Sequence, residues 1–219
     1  MTNPLICVPS PRDIPEVHTA LNELSYDKFI VKYHRASEAY SKIRRFFLSH
    51  KEYDILVNFA DDLIVHPEGL EQLLEYHKVF LTSGANATIS GICNFDMWKN
   101  SDKYCFKLEG HSDFPPIEGF DEYIEKYQDL GIHPYYSVDF NAFACMVTPR
   151  WIIEKIPFRF DEYEAGVDQY FAEDCKKEGI KLYVDTSVRF QHLAMRKRDN
   201  KLENSGLGIK PPYEVFRHR

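Results

Sequence analysis

Two adjacent aspartates, Asp61 and Asp62, follow the apolar run DILVNF and Ala60. Open α/β sheets bind ligands at the carboxyl ends of their strands. A divalent cation held there by carboxylate oxygens would act as a Lewis acid on a departing diphosphate. Successive strand residues point to opposite faces. The pair is therefore expected to divide its work, with Asp62 ligating Mn2+ or Mg2+ and Asp61 reaching a ribose or a bound water. The competing reading is a turn, because aspartate pairs are common turn and cap residues. The helix start that follows, VHPEGLEQLL with Pro67 at its opening, favours the ligand reading. Asp168 (in GVDQYF) and His192 (in VRFQHLA) complete the inventory. Taken alone, Asp168 is a good helix N-cap and His192 an ordinary core or surface histidine.

Short β-rich runs alternating with amphipathic stretches must position these groups, which is the pattern of an α/β sheet protein. Strands are expected at 5–10, 29–33, 54–59, 87–95 and 140–148, with short extended runs at 181–185 and 188–191. Pro15 suits a first helical position, and Val17, Ala20, Leu21 and Leu24 recur at helical spacing. Ala36, Ala39, Tyr40, Ile43, Phe46 and Phe47 mark a second helix face, and Leu70, Leu73, Leu74 and His77 a third. Thr148-Pro149 reads as N-cap and N1 of another helix. A further helix follows Asp168 to Glu178, with Gly179 at C′. Residues 96–138 read as an irregular insertion over the sheet edge, the kind of long loop that serves as a lid or binding segment.

The run Gly166-Val167-Asp168, the glycine at 179, Tyr183-Val184-Asp185-Thr186 and His192-Leu193 together resemble the inverting GT-A glycosyltransferases. In that family an acidic pair opens a helix, a glycine closes it, a short strand follows, and a histidine precedes an apolar residue. The resemblance covers about 5–193, apart from the insertion. It implies a GT-A α/β domain over 1–195, with a mixed, mostly parallel sheet flanked by helices. It also implies that Asp168 is the general base on the acceptor hydroxyl and that His192 completes the metal site with Asp62. Imidazole suits Mn2+ better than Mg2+. Two positions depart from the family pattern. Ala60 stands where an acidic residue is frequent, which bears on metal affinity. Val167 stands where Glu is preferred, which bears on the tuning of Asp168.

The same resemblance places Pro9, Ser10 and Arg12, after the first strand, around a nucleotide, with Tyr33 after the second strand at the same edge. Arg44 is the arginine favoured for a phosphate, since arginine grips phosphate as a bidentate fork and this one lies a turn from Tyr40. Expected cofactor contacts are therefore Pro9, Ser10, Arg12, Tyr33, Arg44, Asp61 and Asp62. The insertion carries Trp98, Tyr104, Phe106, Tyr123, Tyr127, Tyr135 and Tyr136. Such rings suit sugar faces, although packing onto the sheet would explain most of them. Asp139 is a candidate acceptor-side contact.

Net charge is −7, which argues against nucleic acid as a partner. Residues 196–219 nevertheless carry a local +4, against −11 for the rest. This basic C-terminal tail could fold over the donor diphosphate through Arg196, Lys197 or Arg198, touch an anionic membrane carrying a lipid-linked acceptor, or stay solvated. Five scattered cysteines without metal spacing read as reduced core thiols. No apolar stretch approaches a membrane span. A cytoplasmic protein, in contact with the inner membrane face where the tail reaches it, is expected. The expected activity is metal-dependent transfer from a UDP- or GDP-sugar to a carbohydrate or lipid-linked hydroxyl. One alternative is a non-catalytic sugar-nucleotide or partner-binding module, kept open by Ala60 and Val167. A sugar-phosphate nucleotidyltransferase is disfavoured, because VPSPRD lacks the Gly-rich phosphate loop such enzymes need after the first strand.

Overall fold

The computed structural model describes residues 2–10, 12, 14–93, 104–116, 135–162, 166–193, 195–198, 201–204 and 213–214; for His192 and from 195 onward it describes backbone alone. In chain order the first elements are β1 (Pro4–Ser10), α1 (Pro15–Glu23), β2 (Asp27–Lys32), α2 (Ala36–Ser49), β3 (Ile55–Asn58), β4 (Leu63–Ile64), α3 (Pro67–Ser83) and β5 (Ala87–Ile92). They are followed by β6 (Phe106–Leu108), β7 (Tyr135–Asn141), β8 (Met146–Pro149), α4 (Arg150–Lys155), α5 (Val167–Lys177), β9 (Lys181–Arg189) and β10 (Gln191–His192). The backbone of the basic tail forms a separate antiparallel sheet of β11 (Met195–Arg198), β12 (Lys201–Asn204) and β13 (Tyr213–Glu214).

Eight strands form the main sheet, in the order β2-β1-β3-β8-β5-β9-β7-β6. All but β7 and β8 run in one direction. Because each of those two lies between strands of the opposite sense, only three of the seven pairings are parallel: β1–β2, β1–β3 and β5–β9. The sheet is therefore mixed, and the expected parallel majority holds for strand direction but not for pairing.

β1 is buried along its whole length, and its alternation assigns the two layers. Leu5 and Cys7 pack with Ala39, Tyr40, Ile43 and Phe47 of α2, Ile152 and Ile153 of α4, and Phe171, Ala172 and Cys175 of α5. Ile6 and Val8 pack with Val17 and Leu21 of α1 and Leu70, Leu73 and Leu74 of α3. Helices thus cover both faces, as sheets buried on both sides require. All five cysteines are unpaired thiols, and all except the half-buried Cys105 are buried.

Helix punctuation follows the sequence closely. Pro15 and Pro67 open α1 and α3 at N1/N2. Gly179, at φ 69°, ends α5 in a Schellman motif: its N–H donates to Lys176 O (3.2 Å) and the Ile180 N–H to Cys175 O (2.9 Å). Four expectations change. The strand expected at 140–148 is two strands, β7 and β8, broken where Cys145 takes a left-handed φ of 56°. The helix start expected at Thr148-Pro149 shifts by one residue: Pro149 closes β8 and is itself the N-cap of α4, because the β3 ladder runs through both residues (Leu56↔Thr148, Ile55↔Pro149) and holds them extended. The extended runs at 181–185 and 188–191 join into one long β9, with β10 as a separate two-residue strand. The described part of the insertion is also less irregular than expected, since it supplies β6 and the start of β7. Trp98, Tyr123 and Tyr127 lie outside the described residues.

Candidate functional site at the carboxyl edge of the sheet

Strand direction decides what comes together. β1, β2, β3, β5 and β9 all end on one edge, so Ser10, Tyr33, the Asp61-Asp62 turn and the chain leaving β9 meet there. α5 runs back toward the start of β9, which puts its first turn, with Asp168, at the same edge. Asp139 goes to the opposite edge: it accepts hydrogen bonds from Gly110 N (2.8 Å) and Lys176 Nζ (2.7 Å) near the start of β9. The acceptor contact considered for Asp139 is thereby removed.

At the centre of this edge lies an ionic cluster. Asp61 and Asp62 are only 6% and 9% exposed, and the Arg12 guanidinium bridges them. Its Nε donates to Asp61 Oδ2 (2.9 Å), its Nη2 donates to Asp61 Oδ1 and pairs with Asp62 Oδ2 (2.7 Å), and the Arg12 backbone N–H donates to Asp61 Oδ2 (3.1 Å). Burial works against the arginine's charge, but Asp62 and Asp61 outweigh it and raise its pKa. Burial likewise pushes the Asp61 carboxyl up, with Arg12 pulling it down and Asp62 adding to the rise. The pair is thus a fork-on-carboxylate clamp between the loop after β1 and the loop after β3. Ser10 Oγ donates to the Arg12 carbonyl and shapes the first of these loops.

Tyr40 of α2 ties Asp168 to this cluster. Burial first, then the charges of Asp168, Asp61 and Asp62, push its phenol well above the usual value. One buried hydroxyl feels all three carboxylates. Asp168 is half-buried, its Oδ1 accepts from the Gln169 N–H (2.9 Å), and burial raises its pKa. Its expected N-cap role shifts by two residues, because Gly166, at φ 74°, occupies the cap and Asp168 stands inside the first turn. Tyr33, 44% exposed, holds a left-handed φ of 57° one residue past β2, with its N–H on Ser10 O (3.0 Å). A non-glycine residue in that region is uncommon. Here it projects an aromatic ring at the site edge.

His192 reaches the cluster by backbone. β10 pairs antiparallel with β4 (His192↔Leu63), and the Leu193 N–H donates to the Asp62 carbonyl (2.7 Å). The basic strand β11 begins two residues further on. Among the described residues, no three His, Cys, Asp or Glu side chains form a ready-made cation cage. The guanidinium holds Asp62 through Oδ2, and the backbone of His192 lies on the strand that follows β9, paired with Leu63.

Arg44 is a correction. It borders a cleft of about 560 Å3 with Tyr40, Arg45 and Phe158, but its Nε and Nη2 donate to the carbonyls of Ile153 and Glu154 (both 3.1 Å). It clamps α2 to α4 and is not the expected phosphate fork. Two participants were missed. Tyr40 was legible only as a core position. Asn58, fully buried at the end of β3, has no hydrogen-bond partner for either amide atom among the described residues. It lies in register with Cys7, on the face that carries Tyr40. Its signal was a single amide in an otherwise apolar strand.

No protein-family model matches the sequence, and no curated protein matches it. Among solved structures, A197 from STIV superposes with a TM-score of 0.60 at 15% identity, over 87% of this chain and 85% of that one. The likeness is one of fold. The inositol-1-phosphate CTP transferase from T. maritima superposes at a TM-score of 0.41 and 11% identity, over 88% and 89% of the two chains, too distant to carry an argument. Among the described residues, no helix is long and apolar enough to cross a membrane.

Proposed function

We propose that the chain is a glycosyltransferase that moves a sugar from a nucleotide diphosphate donor to the hydroxyl of a carbohydrate or lipid-linked acceptor. One observation carries this reading: Asp61 and Asp62 after β3 and Asp168 in the first turn of α5, from separate parts of the chain, gather at the carboxyl edge, with the His192 backbone beside Asp62. Asp168 takes the proton of the acceptor hydroxyl as that oxygen attacks the anomeric carbon. Its raised pKa strengthens it as a base. Pro9, Ser10 and Tyr33 border the nucleotide, Asp61 serves the ribose side, and Arg12 faces the phosphates. Asp62 and His192 would hold Mn2+ or Mg2+, which when bound offsets the charge of the departing diphosphate. The basic strand β11, starting two residues past the Asp62 carbonyl's partner amide, lies close enough in the chain to join the donor side.

A second reading, a non-catalytic nucleotide-binding module, draws on Arg12, which already neutralises part of the acidic pair. A calorimetric titration with UDP, GDP and CDP, with and without Mn2+, tests the proposal. Selective binding of one nucleotide, strengthened by Mn2+, is the expected result. No binding by a folded chain would reject both readings, and binding indifferent to metal would favour the module.

A further inference from the structure

We propose that Arg12 is a latch on the acidic pair: its guanidinium occupies Asp61 and Asp62 in the resting protein, and a diphosphate opens the pair to a divalent cation by drawing Arg12 onto its own oxygens. The inference rests on the transferase reading for the class of ligand. The latch itself rests on the geometry of three side chains.

Arg12 engages Asp61 through Nε, Nη2 and its backbone N–H, and Asp62 through Nη2. Both carboxylates are nearly sealed from water, whereas the Arg12 side chain keeps 23% exposure. Arg12 is therefore the member of the cluster with the most contact with solvent, against 7% and 13% for the Asp61 and Asp62 side chains. Two carboxylates against one guanidinium leave a single uncompensated negative charge. A dication entering beside the guanidinium would reverse that charge in a buried place, which is unfavourable without a further anion. A diphosphate is such an anion, and its paired oxygens match the fork that Arg12 presents. The covalent path favours the swap, since Arg12 stands on the short loop between β1 and α1 and is held to Asp61 by its own amide. That amide contact can persist while the side chain turns outward.

Cation and diphosphate are then coupled, and the coupling is reciprocal. The apparent affinity for metal alone falls by the fraction of molecules whose latch is open, so a pair open about one-tenth of the time binds about tenfold more weakly. Mn2+ binding, followed by the electron paramagnetic resonance of free Mn2+, tests this in wild type and Arg12→Gln, each with and without inorganic pyrophosphate or the nucleoside diphosphate that binds best. Wild type is expected to take up Mn2+ weakly alone and about tenfold or more tightly with diphosphate. R12Q is expected to gain affinity for Mn2+ alone, lose affinity for diphosphate, and show a smaller coupling.

Because R12Q uncovers a buried acidic pair and could compromise folding, a second measurement uses wild type only. The Arg12 Nε–Hε resonance should shift on adding pyrophosphate without metal, and an unmoved resonance at saturating pyrophosphate overturns the latch. Wild-type affinity for Mn2+ alone equal to that of R12Q overturns the latch and leaves the transferase reading standing. Failure of the wild-type chain to bind any diphosphate or Mn2+ overturns both.

Discussion

Asp168 carries the sharpest prediction at the residue scale. Burial raises its pKa, so the ionised form needed of a base is held in the fold at a cost. A carboxyl whose folded pKa lies above its unfolded value stabilises the fold while protonated and loses that contribution as pH rises through the folded pKa. Asp168→Asn should therefore raise the melting temperature at neutral pH, with the gain shrinking as pH falls toward the acid range where Asp168 is itself protonated. The same variant should lower transfer by about 10^2–10^4 while keeping nucleotide binding. A scan of melting temperature and turnover across pH checks both. At this scale the sequence disclosed residue types but not their company. Asp61, Asp62 and Asp168 could be selected from their local strings. The grip of Arg12 on residues 49 positions away could not, because nothing within either segment encodes the loop geometry that joins them.

Among the elements, α2 has two duties. Tyr40 is buried in the core on the side of the sheet that carries α5, and Arg44, one turn on, donates to the carbonyls of Ile153 and Glu154 in α4. Arg44→Ala should destabilise the fold by about 1.5–3 kcal/mol, the range for hydrogen bonds to a charged group, and leave nucleotide affinity unchanged. Chemical denaturation together with calorimetry separates the two, and a selective loss of nucleotide affinity would restore Arg44 to the phosphate side. Strands and helices with strong periodicity were legible, from β1 through α3, as were the prolines that open α1 and α3 and the glycine that closes α5. The stretch 140–148 reads as one strand because Asn141 alone interrupts the apolar residues from Phe140 to Val147. Its break depends on Cys145 adopting a left-handed backbone, a conformation no composition rule assigns to cysteine. The aromatic insertion concealed β6 and β7 because aromatic residues serve strands and sugar-binding loops equally well.

For the whole molecule, one sheet with helices on both faces brings Ser10, Arg12, Tyr33, Asp61, Asp62 and Asp168 to a single edge, and the charge of its core sets its tolerance of acid. His77 of α3 is 1% exposed with neither ring nitrogen partnered among the described residues, and burial lowers its pKa to about 4 from 6.5. A histidine with a depressed folded pKa favours the fold above its unfolded value and loses that contribution as pH falls toward the folded one. Between pH 6.5 and about 4 the chain should lose up to about 1.4 kcal/mol per pH unit on this account, and His77→Leu should flatten that slope in equilibrium unfolding. Sugar transfer, the central claim, is tested most directly by incubating the chain with Mn2+ and a panel of nucleotide sugars and identifying the phosphorus-containing product. The expected result is nucleoside diphosphate released from one donor, reduced about 100-fold or more in Asp168→Asn. Release undiminished in that variant, or no release from any donor by a chain that binds the matching nucleotide, would contradict it.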